Sequence, residues 1–170
     1  MVVKENIENS KRIKFDTKKS IRRAKRIYPN SRKWTIKTSN SKIEWESRMD
    51  RINLIRKGLP MEAVETIGIH TGLPIKRILT YVDIPQTTYN KSKRENKPLN
   101  GNRAETILLL TELINYGYDV FNGEKEKFNR WLIKPNISLG KVTPESLFDS
   151  ISGINEVRNA LNRIEYGNMA

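Results

Sequence analysis

Gln86, Thr87, Thr88 and Asn90 stand just before Lys91, Lys93 and Arg94 in one short run of the chain. The first group carries amide and hydroxyl side chains that both donate and accept hydrogen bonds, which is the chemistry that reads base edges, and the second carries cations that meet phosphates. Lys76 and Arg77, a little upstream, are placed to hold the phosphate backbone on the other side. These nine residues are the candidate DNA-binding set.

Catalytic chemistry is poorly supplied by comparison. His70 is the only histidine and there is no cysteine, so neither a His/Cys metal cluster nor a thiol nucleophile can be assembled. Its place beside Thr71 and Gly72 reads as a helix cap or a surface position. Glu44 and Glu46, Glu62 and Glu65, and Glu124 and Glu126 are pairs only by proximity, and their Lys and Arg neighbours make them solvated faces. The segment NGNRAE at 100–105 lacks the glycine spacing and the lysine of a phosphate-binding loop. No enzyme activity, cofactor or metal is expected.

The elements that must position the candidate residues follow from proline breaks and helical periodicity. In residues 74–82, Ile75, Ile78, Leu79 and Val82 make an inward face, Asp83 and Ile84 make a turn, and Pro85 opens a second helix to about Asn96. That is helix-turn-helix geometry, with the N-terminal residues of the second helix facing the bases. Upstream, Trp45, Met49, Ile52 and Ile55 form a stripe closed by Gly58 and Pro60, and Met61, Val64 and Ile67 form the next buried face. Prolines at 60, 74 and 85 suit the first turn of the helices they precede. Downstream, a helix over about 103–121 carries Ile107, Leu110, Ile114, Tyr118 and Phe121 on one stripe, widened by Leu108, Leu109 and Leu113. Such a helix is expected at the centre of a core, with sharing across a dimer as the alternative.

The remaining body is a compact fold-back. Phe128, Trp131 and Leu132 share a helix face, Pro135 and Asn136 end that helix, and Gly140 permits a tight turn. Thr143 is expected to cap a new helix with Pro144 at its first position and Glu145 near its positive end. The last helix, over 154–166, would pack through Ile154, Val157, Leu161 and Ile164, leaving Asn155, Arg158, Asn162 and Arg163 on its other face. Trp131, Leu139 and Phe148 are expected in the core.

Charge divides the chain. Residues 1–42 hold 14 Lys and Arg against 3 Asp and Glu, a net +11, whereas residues 43–170 hold 18 against 16, a net +2. A basic arm on a nearly neutral body favours a polyanionic partner, nucleic acid first. A short basic helix is expected from Asp16 or Thr17 to Pro29, followed by a brief extended piece and a linker, with the domain boundary near residue 42. Lys4 and Lys11 are not followed by a signal-peptide run, and the longest apolar cluster, ILLLTELI, is too short to span a membrane. Absence of cysteine fits a reducing compartment, so a soluble cytoplasmic protein without a membrane partner is expected.

From about Ile52 to Ala170 the chain resembles the Xre/MbcA/ParS family of antitoxins. The resemblance rests on GLPMEAV at 58–64, TTYNKSKRENKPL at 87–99, VFNGEKEKFNRWLIKPNISLGKVTPESLF at 120–148 and GINEVRNALNRIEYGNMA at 153–170. The set Trp131-Leu132, Pro135-Asn136, Leu139-Gly140, Pro144 and Tyr166-Gly167 is specific in combination. Two features depart from it: Ala104 and Thr106 stand where the family commonly has a serine and an arginine, and the basic arm lies outside it.

Charge and periodicity set off a basic extension at 1–42 from an all-α body, and within that body the resemblance implies an Xre-like helix-turn-helix DNA-binding region at 43–100 and a toxin-binding and dimerisation domain at 101–170. It implies neutralisation of a RES-domain toxin that acts on NAD and is encoded alongside, and repression of the operon by binding operator double-stranded DNA. A homodimer within a larger toxin–antitoxin complex is the expected assembly. Toxin contact is expected at Arg158, Asn162, Arg163, Tyr166, Gly167, Asn168, Met169 and Ala170. Two other readings stay open: a stand-alone helix-turn-helix regulator whose C-terminal domain only dimerises, and a protein that binds DNA without sequence preference through its basic arm.

Overall fold

The computed structural model describes residues 33–167, which lie in one compact unit that begins at Lys33. The basic helix expected before Pro29 lies outside the described residues, as do Asn168, Met169 and Ala170. Among the described residues there are seven α-helices, two short strands and two 3-10 turns, consistent with an all-α fold. No helix among them is long and apolar enough to cross a membrane.

The first element among the described residues is a hairpin. β1 (Trp34–Lys37) pairs antiparallel with β2 (Lys42–Trp45), Trp34 opposite Trp45 and Ile36 opposite Ile43. Alternation places these four apolar residues on one face and Thr35, Lys37, Lys42 and Glu44 on the other. Ile36 and Trp45 are fully buried, and the two indoles stack with centroids 6.0 Å apart. The segment expected as a linker is therefore the hairpin turn, closed by Thr38 and Ser41. A boundary near residue 42 would fall between its paired strands.

Helix α1 (Arg48–Lys57) starts with a capping box in which Ser47 and Asp50 satisfy each other's backbone. The expected stripe is rotated. Trp45 belongs to β2, and Met49 and Ile52 are exposed; Ile55 turns inward as expected, but beside Arg51 and Leu54. The cause is a polar one: Arg51 reaches a carboxylate in the core, described below.

α2 (Ala63–Thr71), α3 (Ile75–Tyr81) and α4 (Gln86–Arg94) follow. Met61, Val64, Ile67, Ile78, Leu79 and Val82 are buried as their spacing requires. Pro74 and Pro85 sit one position earlier than the first helical turn: both are N-caps in extended geometry, their carbonyls accepting amides of α3 and α4. Leu59 and Leu99 exchange backbone hydrogen bonds, so the ends of this three-helix region are tied together. Gly58 makes that closure possible, since its φ is +86° and a Cβ there would lie 2.2 Å from Asn100 Oδ1.

α5 (Gly101–Val120) is the central helix, buried nearly all round, and it packs against α1, α2, the hairpin and α7. α6 (Lys125–Leu132) crosses it closely because position 117 is glycine: a Cβ would overlap the Phe128 ring. Two 3-10 turns, Ile137–Leu139 and Pro144–Leu147, lead into α7 (Ile151–Glu165), capped by Ser150. Ile154, Val157 and Leu161 pack inward, whereas Ile164 is 44% exposed and does not join the core. Phe148 is fully buried, while Trp131 and Leu139 are half-buried.

Candidate functional site

One face of the molecule is built by α3, the turn and α4. Asp83 takes a positive φ at the turn, and Ile84 is buried behind it. Arg103, at the start of α5, donates to the carbonyls of Val82 (3.1 Å) and Asp83 (2.7 Å), pinning the turn from behind. α4 is held by a single buried residue, Tyr89, whose hydroxyl donates to Glu65 on α2.

With Tyr89 inward, the rest of α4 points out. Thr87, Thr88, Asn90, Lys91 and Arg94 are at least partly open to solvent, as is Lys76 on α3. Gln86 donates to Asn90 Oδ1 at 3.2 Å, so these two amides act as a joined pair. Two of the expected phosphate-binding cations are engaged inside the molecule. Lys93 is ion-paired with Glu65, and Arg77 donates through Nε (3.0 Å) and a terminal nitrogen to Glu145.

Glu145 lies where the sequence places it, in the first turn that follows Thr143 and Pro144, although that turn is 3-10. Its side chain is also almost fully buried, accepting from Arg77 and from the Tyr81 hydroxyl. Burial pushes its carboxyl up, but hydrogen bonds from Arg77 and Tyr81 and the Arg77 charge outweigh that and hold it below the ordinary carboxylate value. Burial and the adjoining Glu145 push the Tyr81 phenol up, so it stays a neutral donor. Glu65 repeats the pattern: burial raises its carboxyl, and Lys93 and Tyr89 lower it further than burial lifts it.

A second buried carboxylate joins elements that the sequence keeps far apart. Glu112, in the middle of α5, is only 6% exposed. It accepts from Trp45 Nε1 at 2.9 Å and from Arg51 through both oxygens at 2.8 Å, and Arg158 of α7 lies 3.8 Å away. A lone acid inside a run of leucines is the signal available in the sequence, because a buried charge requires a cation. Nothing local names its partners.

The other face is the end of the molecule formed by α6, the 3-10 turns and the last turns of α7. Of the expected toxin-binding residues there, Arg158 lies over the Tyr116 ring, 5.9 Å from its centroid, besides its approach to Glu112. Asn162 accepts from the Tyr116 hydroxyl, and Arg163 reaches Ser138 Oγ at 3.5 Å. These three are half-buried and engaged in holding α7 in place. Tyr166, 72% exposed, and Gly167 are presented to solvent.

His70 is exposed in the last turn of α2, and its carbonyl accepts from the Tyr118 hydroxyl and from Asn129. Among the described residues no cluster of His, Cys, Asp and Glu is placed to hold a metal ion.

Comparison with known proteins falls on these two faces. Residues 50–112 match the family model described as the antitoxin Xre-like helix-turn-helix domain, and residues 117–167 match that of the antitoxin Xre/MbcA/ParS C-terminal toxin-binding domain. An Antitoxin Xre from Photorhabdus laumondii is 30% identical over 114 residues, covering 67% of this chain and 77% of the relative. An Antitoxin Xre from Yersinia enterocolitica is 24% identical, covering 68% and 78%. A protein named Prs ADP-ribosylating antitoxin, from a Sphingobium species, is 29% identical over 132 residues, covering 73% and 83%.

Proposed function

The chain belongs to the Xre/MbcA/ParS family of antitoxins, and from that premise we propose that it neutralises a RES-domain toxin encoded beside it and represses their shared operon. It acts by binding alone, in the cytoplasm, as a homodimer within a larger toxin–antitoxin complex. The observation that carries this reading is the coincidence of two matched domains with two chemically different faces. One is the outward row of amides, hydroxyls and cations on α4; the other is the end of α7 within the stretch that matches a toxin-binding domain.

On the DNA face, the joined pair Gln86 and Asn90 with Thr87 and Thr88 addresses base edges, while Lys76, Lys91 and Arg94 meet phosphates. Arg77 and Lys93 serve instead to orient α3 and α4. On the toxin face, Tyr166 and Gly167, with Asn168, Met169 and Ala170 following them, enter the opening of the toxin's active site, and Arg158, Asn162 and Arg163 fix the helix that delivers them. The catalytic chemistry, consumption of NAD, belongs to the partner.

The test is expression of the adjacent reading frame with and without this protein, following growth and cellular NAD. Collapse of NAD that this chain reverses supports the reading. A toxic product that transfers ADP-ribose from NAD to a cellular protein, releasing nicotinamide without a collapse of the NAD pool, favours a second one, motivated by the name of the Sphingobium relative. A harmless product leaves a stand-alone regulator as the better account.

A further inference from the structure

The matched toxin-binding stretch contains an open groove of about 610 Å³ that none of the residues expected to touch toxin lines. Phe121, Trp131, Pro135 and Ile137 supply its apolar surface, and Arg130 and Lys134 supply cations at its edge. Two features mark it as more than an accident of packing.

The first is Ile137. It is 86% exposed, yet it sits on a turn closed from several sides. Asn136 Oδ1 accepts from the Ser138 amide at 2.9 Å, the Asn136 carbonyl accepts from the Lys141 amide at 2.8 Å, the Asn136 amide donates to the Val142 carbonyl at 2.9 Å, and Gly140 takes φ +73°. A β-branched apolar side chain held out rigidly from a closed turn loses little freedom on binding. Trp131 behind it is fixed against Phe121 and Phe128, with ring centroids 5.9 and 6.1 Å away. The anchors are preorganised.

The second is charge. Lys127, also at the groove, is neutralised by Glu124 at 2.7 Å, but Arg130 and Lys134 form no ion pair among the described residues. Both are exposed beside an apolar floor, Arg130 in the last turn of α6 and Lys134 in the bend just beyond its end. Cations flanking aromatic and aliphatic surface complement an acidic segment that carries an apolar side chain. The groove is also continuous with the toxin face, since Arg163 of α7 reaches Ser138 in the turn that displays Ile137.

We infer that this groove is a second docking point for the toxin, taking a segment in which Asp or Glu flanks a large apolar residue. The inference rests on the reading of the chain as a toxin's binding partner. It separates two tasks: the end of α7 blocks the active site, and the groove supplies much of the affinity from outside it.

The test measures binding of the full chain to a catalytically inactive form of the adjacent reading frame's product. Arg130→Glu with Lys134→Glu should weaken binding about tenfold or more at low salt, mostly through slower association, with the effect shrinking as salt rises. Ile137→Asp should weaken it by a similar factor at every salt concentration, through faster dissociation. All three positions are exposed, so thermal midpoints should match wild type; Ile137→Ser replaces the aspartate variant if that one melts early. Folded variants that bind like wild type would overturn the groove and leave the antitoxin reading intact. A wild-type chain that fails to bind the product would overturn both. Binding of a single-stranded oligonucleotide that the double charge reversal abolishes, with toxin binding unchanged, would reassign the groove to nucleic acid.

Discussion

The α3–α4 face and the α6–α7 end handle their polar residues in opposite ways. On α4 one tyrosine faces inward and most of the amides, hydroxyls and cations stay outside. At the other end Arg158 and Asn162 turn toward Tyr116 and Glu112, and what reaches solvent includes Ile133, Ile137, Val142, Ile164 and Tyr166. The contrast matches the partners proposed for each. A polyanion is met by cations that need only a rigid rod behind them, whereas a protein surface is met by apolar anchors whose backbone must already be in place.

The comparison breaks first if the inward polar groups are dispensable. Glu112→Ala should cost roughly 3–5 kcal/mol in urea or thermal unfolding, because it strands Arg51 and the Trp45 indole in the interior. A variant as stable as wild type would mean that the buried carboxylate adds nothing net to the fold. Next, Trp131→Ala should cost about 2 kcal/mol, below the value for a fully buried tryptophan, since the side chain is half-buried. A larger destabilisation would make the groove wall part of the core.

The DNA face is sharpened by a change that should leave stability alone. Lys91→Ala with Arg94→Ala should lower operator affinity about tenfold, near 1.4 kcal/mol, and reduce the slope of log affinity against log salt by about 0.9 for each phosphate no longer neutralised. The melting temperature should not move, as neither cation has a buried partner. Unfolding of the variant would show that α4 is structural first.

The smallest effect concerns the joint between the two regions. Glu145 on the C-terminal side holds Arg77 and Tyr81 on α3, and its folded-state pKa lies below its ordinary value of 4.5. A carboxyl with a depressed folded pKa contributes its full stability above the unfolded value and loses it as pH falls through the folded one. Stability should therefore be flat near neutrality and decline below about pH 4.5, and Glu145→Gln should remove part of that decline. An unchanged acid limb in the variant would place the dependence on other carboxylates, Glu65 among them.

Much of the architecture is legible in the sequence because its causes are local. Proline and glycine breaks at 58, 60, 74, 85 and 140 separate helices whose buried faces repeat with helical period, and the α5 run of leucines and isoleucines is buried as expected. α1 departs from its expected face because period alone cannot tell which side turns inward when an arginine is drawn to the core. The hairpin is legible only in its first strand, the extended piece expected after Pro29; its second strand is not, because four residues carry little period and Trp45 is fixed by Glu112, 67 residues away.

Residue type and spacing thus determined the helical class, the helix-turn-helix order and the outward chemistry of α4, since each depends on neighbours within a turn or two of chain. Only the tertiary structure decided which charged groups remain available. Arg77 is claimed by a carboxylate 68 positions away and Arg51 by one 61 positions away. A charge leaves water only where a distant partner of opposite sign is brought to meet it.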